Sequence, residues 1–421
     1  MTDPPRATTP PRPTLPGRLL LVALLVFLAG VIYSHTLGNQ VRYTDEHDYL
    51  KLAQNLASTW KYSYNGVDPT AVRTPGYPFF LALILSAGAG LFVLRLAGFL
   101  ALAASICLTF VVLERTATRR AAWIGAMLVA CYPVLFYTAG TFYPQTLSAV
   151  LLLGTLAILA GTGRINRRNY LMAGLFLGVA IMMVPNFIFT LAITAAWLIL
   201  RERRRAPMAI LCLLLPTMIL LGGWAVRNYG VFHAFIPLST NGGVTLLNGN
   251  SSTTDPNSSY FDASRHVSDI DALRHMNEVE RDRYFRDRAL EHIRENPART
   301  LKLYGLKFLN WFHYTNRIMT VGEESRARNL VMLFTYWPLL FLVIVRLALS
   351  FRFPLSHFEL LLLALYVGNG LFLSMFLPRI RYRLPFDYGL IMLAAIFLDA
   401  VVLRRLRRNS ATGPRASGIP V

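Results

Sequence analysis

The sequence predicts an all-α polytopic membrane protein: about ten transmembrane helices, interfacial helices in the first outer loop and a mixed outer loop domain. Three observations lead there. Of the 421 residues 54% are hydrophobic and only 15% are charged, and long apolar runs recur from residue 19 to residue 403, more than a soluble fold can bury. Arginine clusters punctuate those runs. Three carboxylates stand together beside the first run, in VRYTDEHDYL, residues 41–50.

The basic clusters set the topology. They are Arg6, Arg12 and Arg18; Arg115, Arg119 and Arg120; Arg164, Arg167 and Arg168; Arg201 and Arg203 to Arg205; Arg346 and Arg352; and Arg404, Arg405, Arg407 and Arg408. Placed in the cytoplasm by the positive-inside rule, they require the spans to pair between them. The Pro- and Arg-rich stretch 1–18 reads as a disordered cytoplasmic tail. Span 1 runs outward over 19–36 and is retained, since no small-residue cleavage site clearly follows it. The first outer loop, 37–93, holds an amphipathic helix after Thr44 and an interfacial helix over 76–92, entered through Pro75, Gly76 and Pro78. Spans follow at 94–113, 120–138, 145–162, 169–184, 187–200 and 206–225, closing an N-terminal transmembrane module over 19–226. The polar segment 227–325 forms an extracytoplasmic loop domain. In it Val244 to Leu247 suggest a strand or hairpin arm between two Asn-Gly turns, and 278–293 a charged helix. Asn296-Pro297 opens another helix, whose Leu301, Tyr304, Leu306, Phe308 and Trp311 make a membrane-facing side. Spans at 328–349, 355–377 and 385–403 fill the C-terminal helices, 326–403, and a basic cytoplasmic tail, 404–421, ends the chain. This reading places a multi-pass protein in the plasma (inner) membrane with both termini cytoplasmic.

Charge and cysteine narrow the function. The net charge is +20, and all but four of the 42 basic residues are arginine. Topology accounts for most of that excess, so no nucleic-acid partner is implied. Cys107, Cys131 and Cys212 lie in apolar runs and read as packing residues. There is no P-loop, HExxH, CxxC pair or GxSxG. The spans look nearly free of charge, with Arg95, Glu114 and Asp399 near their ends, which argues against an ion-coupled transporter.

Two groups break the pattern. Asp45, Glu46 and Asp48 open the amphipathic helix, where acids favour the N-terminus and where a carboxylate can also serve as a base. His47 beside them is a surface residue or a metal ligand. In RIRYRLP, Arg379, Arg381 and Arg383 lie on the supposed outer face, against the positive-inside trend. Snorkelling to headgroups explains such a run; binding of a substrate phosphate explains it better, because the guanidinium fork suits phosphate. Arg73, in RTPGYP, and Arg227, in WAVRNY, read singly as interface anchors.

Six stretches in order resemble the membrane glycosyltransferases of the C-type fold, nearest to the protein O-mannosyltransferase and aminoarabinose transferase group. They are Asp45-Glu46 with Tyr49, RTPGYP, YPQTL at 143–147, WAVRNY, TNGGVTLLNGN at 240–250, and RYRLP at 381–385. The likeness covers residues 19 to 403. It implies transfer of a sugar from a polyprenyl-phosphate carrier to an acceptor hydroxyl on the extracytoplasmic face. It makes Asp45, with Glu46 beside it, the catalytic base. It makes Arg381 and Arg383 the donor-phosphate ligands, with Arg379, Arg73 and Arg227 as further candidates. Tyr49, Tyr382, Gln145, Asn241 and Asn248 are the candidates to meet sugar or acceptor. Such enzymes often hold a divalent metal, for which Asp45, Glu46 and His47 are the candidates here. Gln145, however, stands where they usually carry an acid, so no obligatory metal is expected. A leaving phosphate needs positive charge and the acceptor needs a base; one direct displacement inverts the anomeric carbon. The expected partners are the lipid-linked donor, membrane lipids and a lipid, glycan or protein acceptor. The alternatives are a lipid-linked glycan ligase or phosphotransferase, and a transporter or flippase of lipid-linked sugar.

Overall fold

The computed structural model describes residues 15–161, 166–256, 270–315, 326–377 and 379–403. The expected disordered stretch up to residue 14, Arg164, Pro378 and the basic tail 404–421 lie outside the described residues.

The first half of the chain alternates long apolar helices with shorter ones. α1 (Gly17–Leu37) starts after Pro16 and stops at Gly38, whose φ of 52° few other residues adopt. α2 (Thr44–Thr59) and α3 (Gly76–Ser86) form the first polar loop and pack on each other. α4 (Leu91–Thr116) returns along α1. α5 (Arg119–Ala130), capped by the Thr118 hydroxyl, bends by 58° into α6 (Pro133–Ala139). α7 (Gln145–Leu159) and α8 (Arg167–Met183), the latter capped by Asn166, pack side by side. α9 (Phe187–Glu202) meets α10 (Ala206–Phe232) at Arg203, which has φ 47°, and the two pack together.

The second half carries the polar segment and three last apolar helices. α11 (Gly242–Gly249), α12 (Ile270–His275), α13 (Glu278–Glu295) and α14 (Pro297–Trp311) make up the polar part. α15 (Arg326–Ala348), α16 (His357–Leu373) and α17 (Ile380–Phe397) follow, the last running into a π turn over Leu398–Leu403. α17 packs against α4, α5, α7, α15 and α16, and every residue from Arg383 to Ala395 is buried. A helix apolar all round must be enclosed. Its N-terminus therefore delivers the Arg379–Arg383 run to one end of the bundle.

Every expected span contains a helix. By length and apolar content four helical runs suffice to cross a membrane: α1, α4, the continuous stretch Phe187–Phe232 and α15. The bent pair α5 and α6 adds a fifth, and α3, α7 and α16 are shorter apolar helices. This is a multi-pass membrane protein.

Three expectations need correction. Val244 to Leu247 are not a strand. They lie in α11, whose buried N-terminal amide at Gly243 donates to Asp282 Oδ1 at 2.6 Å; a Cβ on Gly243 would come within 2.0 Å of the Asp282 carbonyl oxygen. With that helix, the mixed loop domain becomes helical among the described residues, where β pairing is limited to a single bridge between Ser63 and Pro69. On α14, Leu301 and Leu306 are exposed as expected, and so is Leu309. Trp311 is instead buried against Tyr366 and Phe386. Finally, the last span carries more charge than Asp399 near its end. It holds Asp387, fully buried beside Arg383.

The α8–α10 contact depends on Gly174. A Cβ there would lie 2.0 Å from the carbonyl oxygen of Leu213. Gly174→Ala must push the two backbones apart, at about 1–3 kcal/mol by analogy with overpacked cores. A lower melting temperature in detergent is expected; an unchanged one contradicts this close approach.

Candidate active site

The N-terminus of α2 brings three carboxylates into one turn, and each does something different. Asp45 lies between two arginines from distant parts of the chain. Arg73 Nη2 meets its Oδ1 at 2.5 Å, and Arg381 Nη1 bonds its Oδ2. Arg73 also pairs with Asp48 at 3.0 Å. The side chains of Asp45, Arg73 and Arg381 are 20%, 19% and 22% exposed, so the cluster is sheltered but open to a visitor. Burial alone raises the Asp45 carboxyl; the charges of Arg381 and then Arg73 outweigh it and hold the group well below the usual carboxylate range.

Glu46 is taken up by the backbone. It accepts from the amides of Arg42 and Tyr43 at 2.9 and 3.0 Å, and from the amide of Phe142 at 2.7 Å. It thus caps its own helix and ties the α6–α7 turn to it. That turn supplies Tyr143, over whose ring the Arg381 guanidinium lies at 5.2 Å. Tyr382 takes a hydrogen bond from Arg381 Nη2 at 3.0 Å, and its ring lies 4.9 Å from the same guanidinium. Tyr49 lies under Arg73 at 5.3 Å and edge-on to Tyr77 and Tyr143. Tyrosine rings therefore surround the charged centre and present apolar faces with polar rims. The Nε–H groups of both Arg73 and Arg381 are buried without a partner among the described residues. Buried donors left unpaired cost about 1–3 kcal/mol each, so an acceptor atom entering this centre would be stabilised by them.

The other predicted residues divide clearly. Arg379 begins the run at the N-cap of α17, near Arg381 and Tyr382. Arg383 does not join Asp45. Two residues along a helix is a turn of about 200°, and its guanidinium pairs with Asp387 at 3.0 Å, donates to the carbonyls of Trp311 and His313, and lies 3.7 Å from the Tyr336 ring. It braces the bundle. Arg227 is likewise occupied, donating to the Thr70 carbonyl and to Asn228 at 2.9 Å each. Arg95, buried, donates to the carbonyls of Gly38 and Gln40. Asn241 precedes α11 and Asn248 lies in its last turn; the Thr245 and Thr254 hydroxyls donate to their carbonyls, and neither is bonded to Asp45. Gln145 is buried at the start of α7, with its Oε1 unpartnered among the described residues. Lys307 donates to Gly249 and Phe376 carbonyls and to Asn250, securing the loop that leads to Arg379.

These groups suit a divalent cation poorly. Glu46 is held by amides, His47 is exposed, and two guanidiniums flank Asp45. No group of three His, Cys, Asp or Glu side chains able to hold a metal occurs among the described residues. Three residues lie outside the sequence-predicted site. Asp48 was visible only as part of the acidic turn, Tyr143 only as part of its loop, and Asp387 by its i, i+4 spacing from Arg383.

Comparison with known proteins places the architecture. The family model for dolichyl-phosphate-mannose-protein mannosyltransferases matches residues 72–224. No curated protein sequence matches. Among solved structures, ArnT from Cupriavidus metallidurans in the apo state superposes with a TM-score of 0.56 at 14% identity, over 93% of this chain and 60% of ArnT. The same protein bound to undecaprenyl phosphate gives 0.51 at 15%, over 93% and 61%. The archaeal oligosaccharyltransferase AglB from Archaeoglobus fulgidus, in complex with an inhibitory peptide and a dolichol-phosphate, gives 0.52 at 14%, over 93% and 52%. The chain has the C-type glycosyltransferase fold. It spans about three fifths of the length of ArnT and about half that of AglB. Within this C-type fold the matched segment 72–224 contains Arg73, Tyr143 and Gln145 but neither Asp45 nor Arg381; the tertiary structure supplies those.

The assignment of Arg383 to the bundle has a direct consequence. Asp387→Ala leaves a guanidinium with 2% exposure unpaired, a change that costs about 3–5 kcal/mol in buried pairs. Thermal unfolding in detergent should show the loss; an unchanged midpoint contradicts the brace.

Proposed function

We propose that this protein is an inverting glycosyltransferase that moves a sugar from a polyprenyl-phosphate carrier to an acceptor hydroxyl on the extracytoplasmic face of the membrane. The observation that carries the proposal is the Asp45 carboxylate clasped by Arg73 and Arg381, with two buried Nε–H donors left over. It is supported by the family-model match and by the shared fold with ArnT and AglB, whose solved structures include undecaprenyl phosphate and dolichol-phosphate. The chain in this reading crosses the membrane about ten times, with both termini in the cytoplasm.

The chemistry follows from the charges. In the resting site Asp45 occupies the place of an anion. The donor phosphodiester competes for the same guanidiniums, whose unpartnered Nε–H groups give it bonds that Asp45 does not use. As the arginines turn toward phosphate, Asp45 loses its counter-charges and becomes a stronger base. The acceptor O–H then gives its proton to Asp45 while its oxygen bonds to the anomeric carbon from the face opposite the phosphate. The carbon–oxygen bond to phosphate breaks, and its electron pair leaves on a polyprenyl phosphate stabilised by Arg381 and Arg73. The departing phosphate needs no general acid. Tyr49, Tyr143 and Tyr382 line the sugar's side, and the long polar segment with Asn241 and Asn248 borders the acceptor's side. A protein is the acceptor this reading favours, in keeping with the protein-mannosyltransferase family model and with the acceptor peptide tethered to the Archaeoglobus fulgidus oligosaccharyltransferase.

Two outcomes test it. Asp45→Asn should reduce transfer from a polyprenyl-phosphate sugar by on the order of 10²–10⁴-fold with an unshifted elution profile; full turnover by this variant refutes the base. The pH profile tests the release step. Asp45 in the free protein is held below the ordinary range, so its carboxylate persists as pH falls and is lost only on passing that depressed value. The acid limb of kcat/KM should therefore lie at lower pH than that of kcat, where the donor holds the arginines. Coincident limbs, or the reverse order, contradict the exchange.

A further inference from the structure

Arg73 lies on the stretch between α2 and α3, which has no helix to fix its direction. The backbone just before it is held by three other parts of the chain. Arg227 of α10 donates to the Thr70 carbonyl at 2.9 Å. The Thr240 amide donates to the Ala71 carbonyl at 3.0 Å. Glu278, in the first turn of α13, accepts from the Thr70 hydroxyl at 2.8 Å, the Ala71 amide at 2.7 Å and the Thr240 hydroxyl at 3.2 Å. Just beyond, the Tyr62 hydroxyl bonds the carbonyls of Arg73 and Thr74. Thr70, Ala71, Thr74 and Thr240 are all buried.

Glu278 stands out in this set because of where it comes from. Its helix is over two hundred residues away in sequence, and Asp282, one turn later on the same face, holds the amide of Gly243 at the start of α11. One acidic face of α13 thus bonds the Arg73 stretch and α11 together. Glu278 makes no bond to Asp45 or to the Arg73 guanidinium. Its carboxylate fixes the peptide two residues before Arg73, and so the point from which that guanidinium reaches Asp45 and Asp48.

We propose that Glu278 is a positioning residue for Arg73, which it aims at the donor phosphate from the long polar segment. This rests on the reading that Arg73 binds that phosphate. It makes the polar segment part of donor binding as well as of the acceptor's border. A latch that served stability alone would lower the melting temperature and leave phosphate affinity untouched in the folded protein. A positioning residue acts only through the group it positions.

A double-mutant cycle separates the two. Undecaprenyl phosphate binding is measured on the full chain in detergent for wild type, Glu278→Ala, Arg73→Ala and the double variant. Displacing a binding group by a fraction of an ångström to 1 Å costs roughly tenfold or more. Glu278→Ala should weaken binding about that much in the wild-type background and by less than roughly twofold in the Arg73→Ala background. Glu278→Gln, whose amide oxygen still accepts from Ala71, should recover most of the affinity. Wild-type affinity in Glu278→Ala, or an equal loss in both backgrounds, overturns the proposal. If Glu278→Ala fails to fold, Thr70→Val removes one of the three bonds and carries the same cycle. A wild-type chain that does not bind undecaprenyl phosphate overturns the reading of the site, and this inference with it.

Discussion

Two guanidinium groups repel each other unless an anion lies between them. In this protein Asp45 is that anion, and it joins Arg73 and Arg381 across more than three hundred residues of sequence. Much of the local architecture serves the meeting. Glu46 anchors the start of α2 and the turn that carries Tyr143. Tyr62 and Glu278 hold the stretch that carries Arg73. Lys307 secures the loop before Arg379. The centre is therefore a gathered site, made from one helix, one extended stretch and the start of the last buried helix.

The same physics separates two neighbours in the sequence, Arg381 and Arg383. Side chains two residues apart on a helix face nearly opposite ways. Arg381 turns to the sheltered but accessible cluster and keeps an unpaired N–H. Arg383 turns into the bundle, where an ionised group requires a partner; Asp387 one turn below provides it, with the carbonyls of Trp311 and His313. That brace fixes α17 against its neighbours and sets where Arg381 emerges. Binding and support are thus assigned to alternate residues of one short run.

The helices were readable because apolar runs of span length leave the backbone few choices, and arginine clusters marked their ends. Asp45 and the late arginine run were readable as anomalies: acid beside a membrane, and base on the face where topology does not call for it. Their meeting was not readable, since it depends on long-range packing around α17. The separate fates of Glu46 and Asp45, adjacent and chemically alike, were hidden for the same reason. The amide of Phe142, nearly a hundred residues away, helps to claim Glu46, while Arg73 and Arg381 claim Asp45. Val244 to Leu247 misled because two Asn-Gly pairs look like turns on either side of a short apolar run, while the cap that makes it a helix comes from Asp282 on another element. The i, i+4 spacing of Arg383 and Asp387 is legible in the sequence as a helical ion pair, but spacing alone does not tell a buried brace from a phosphate ligand.

The central claim is that Asp45 and a lipid phosphate compete for the same two arginines. A structure determined with undecaprenyl phosphate bound tests it most directly. The account predicts the phosphate oxygens within hydrogen-bond distance of Arg73 and Arg381, with Asp45 released from at least one of them. Phosphate bound elsewhere, with Asp45 still paired to both arginines, would contradict it.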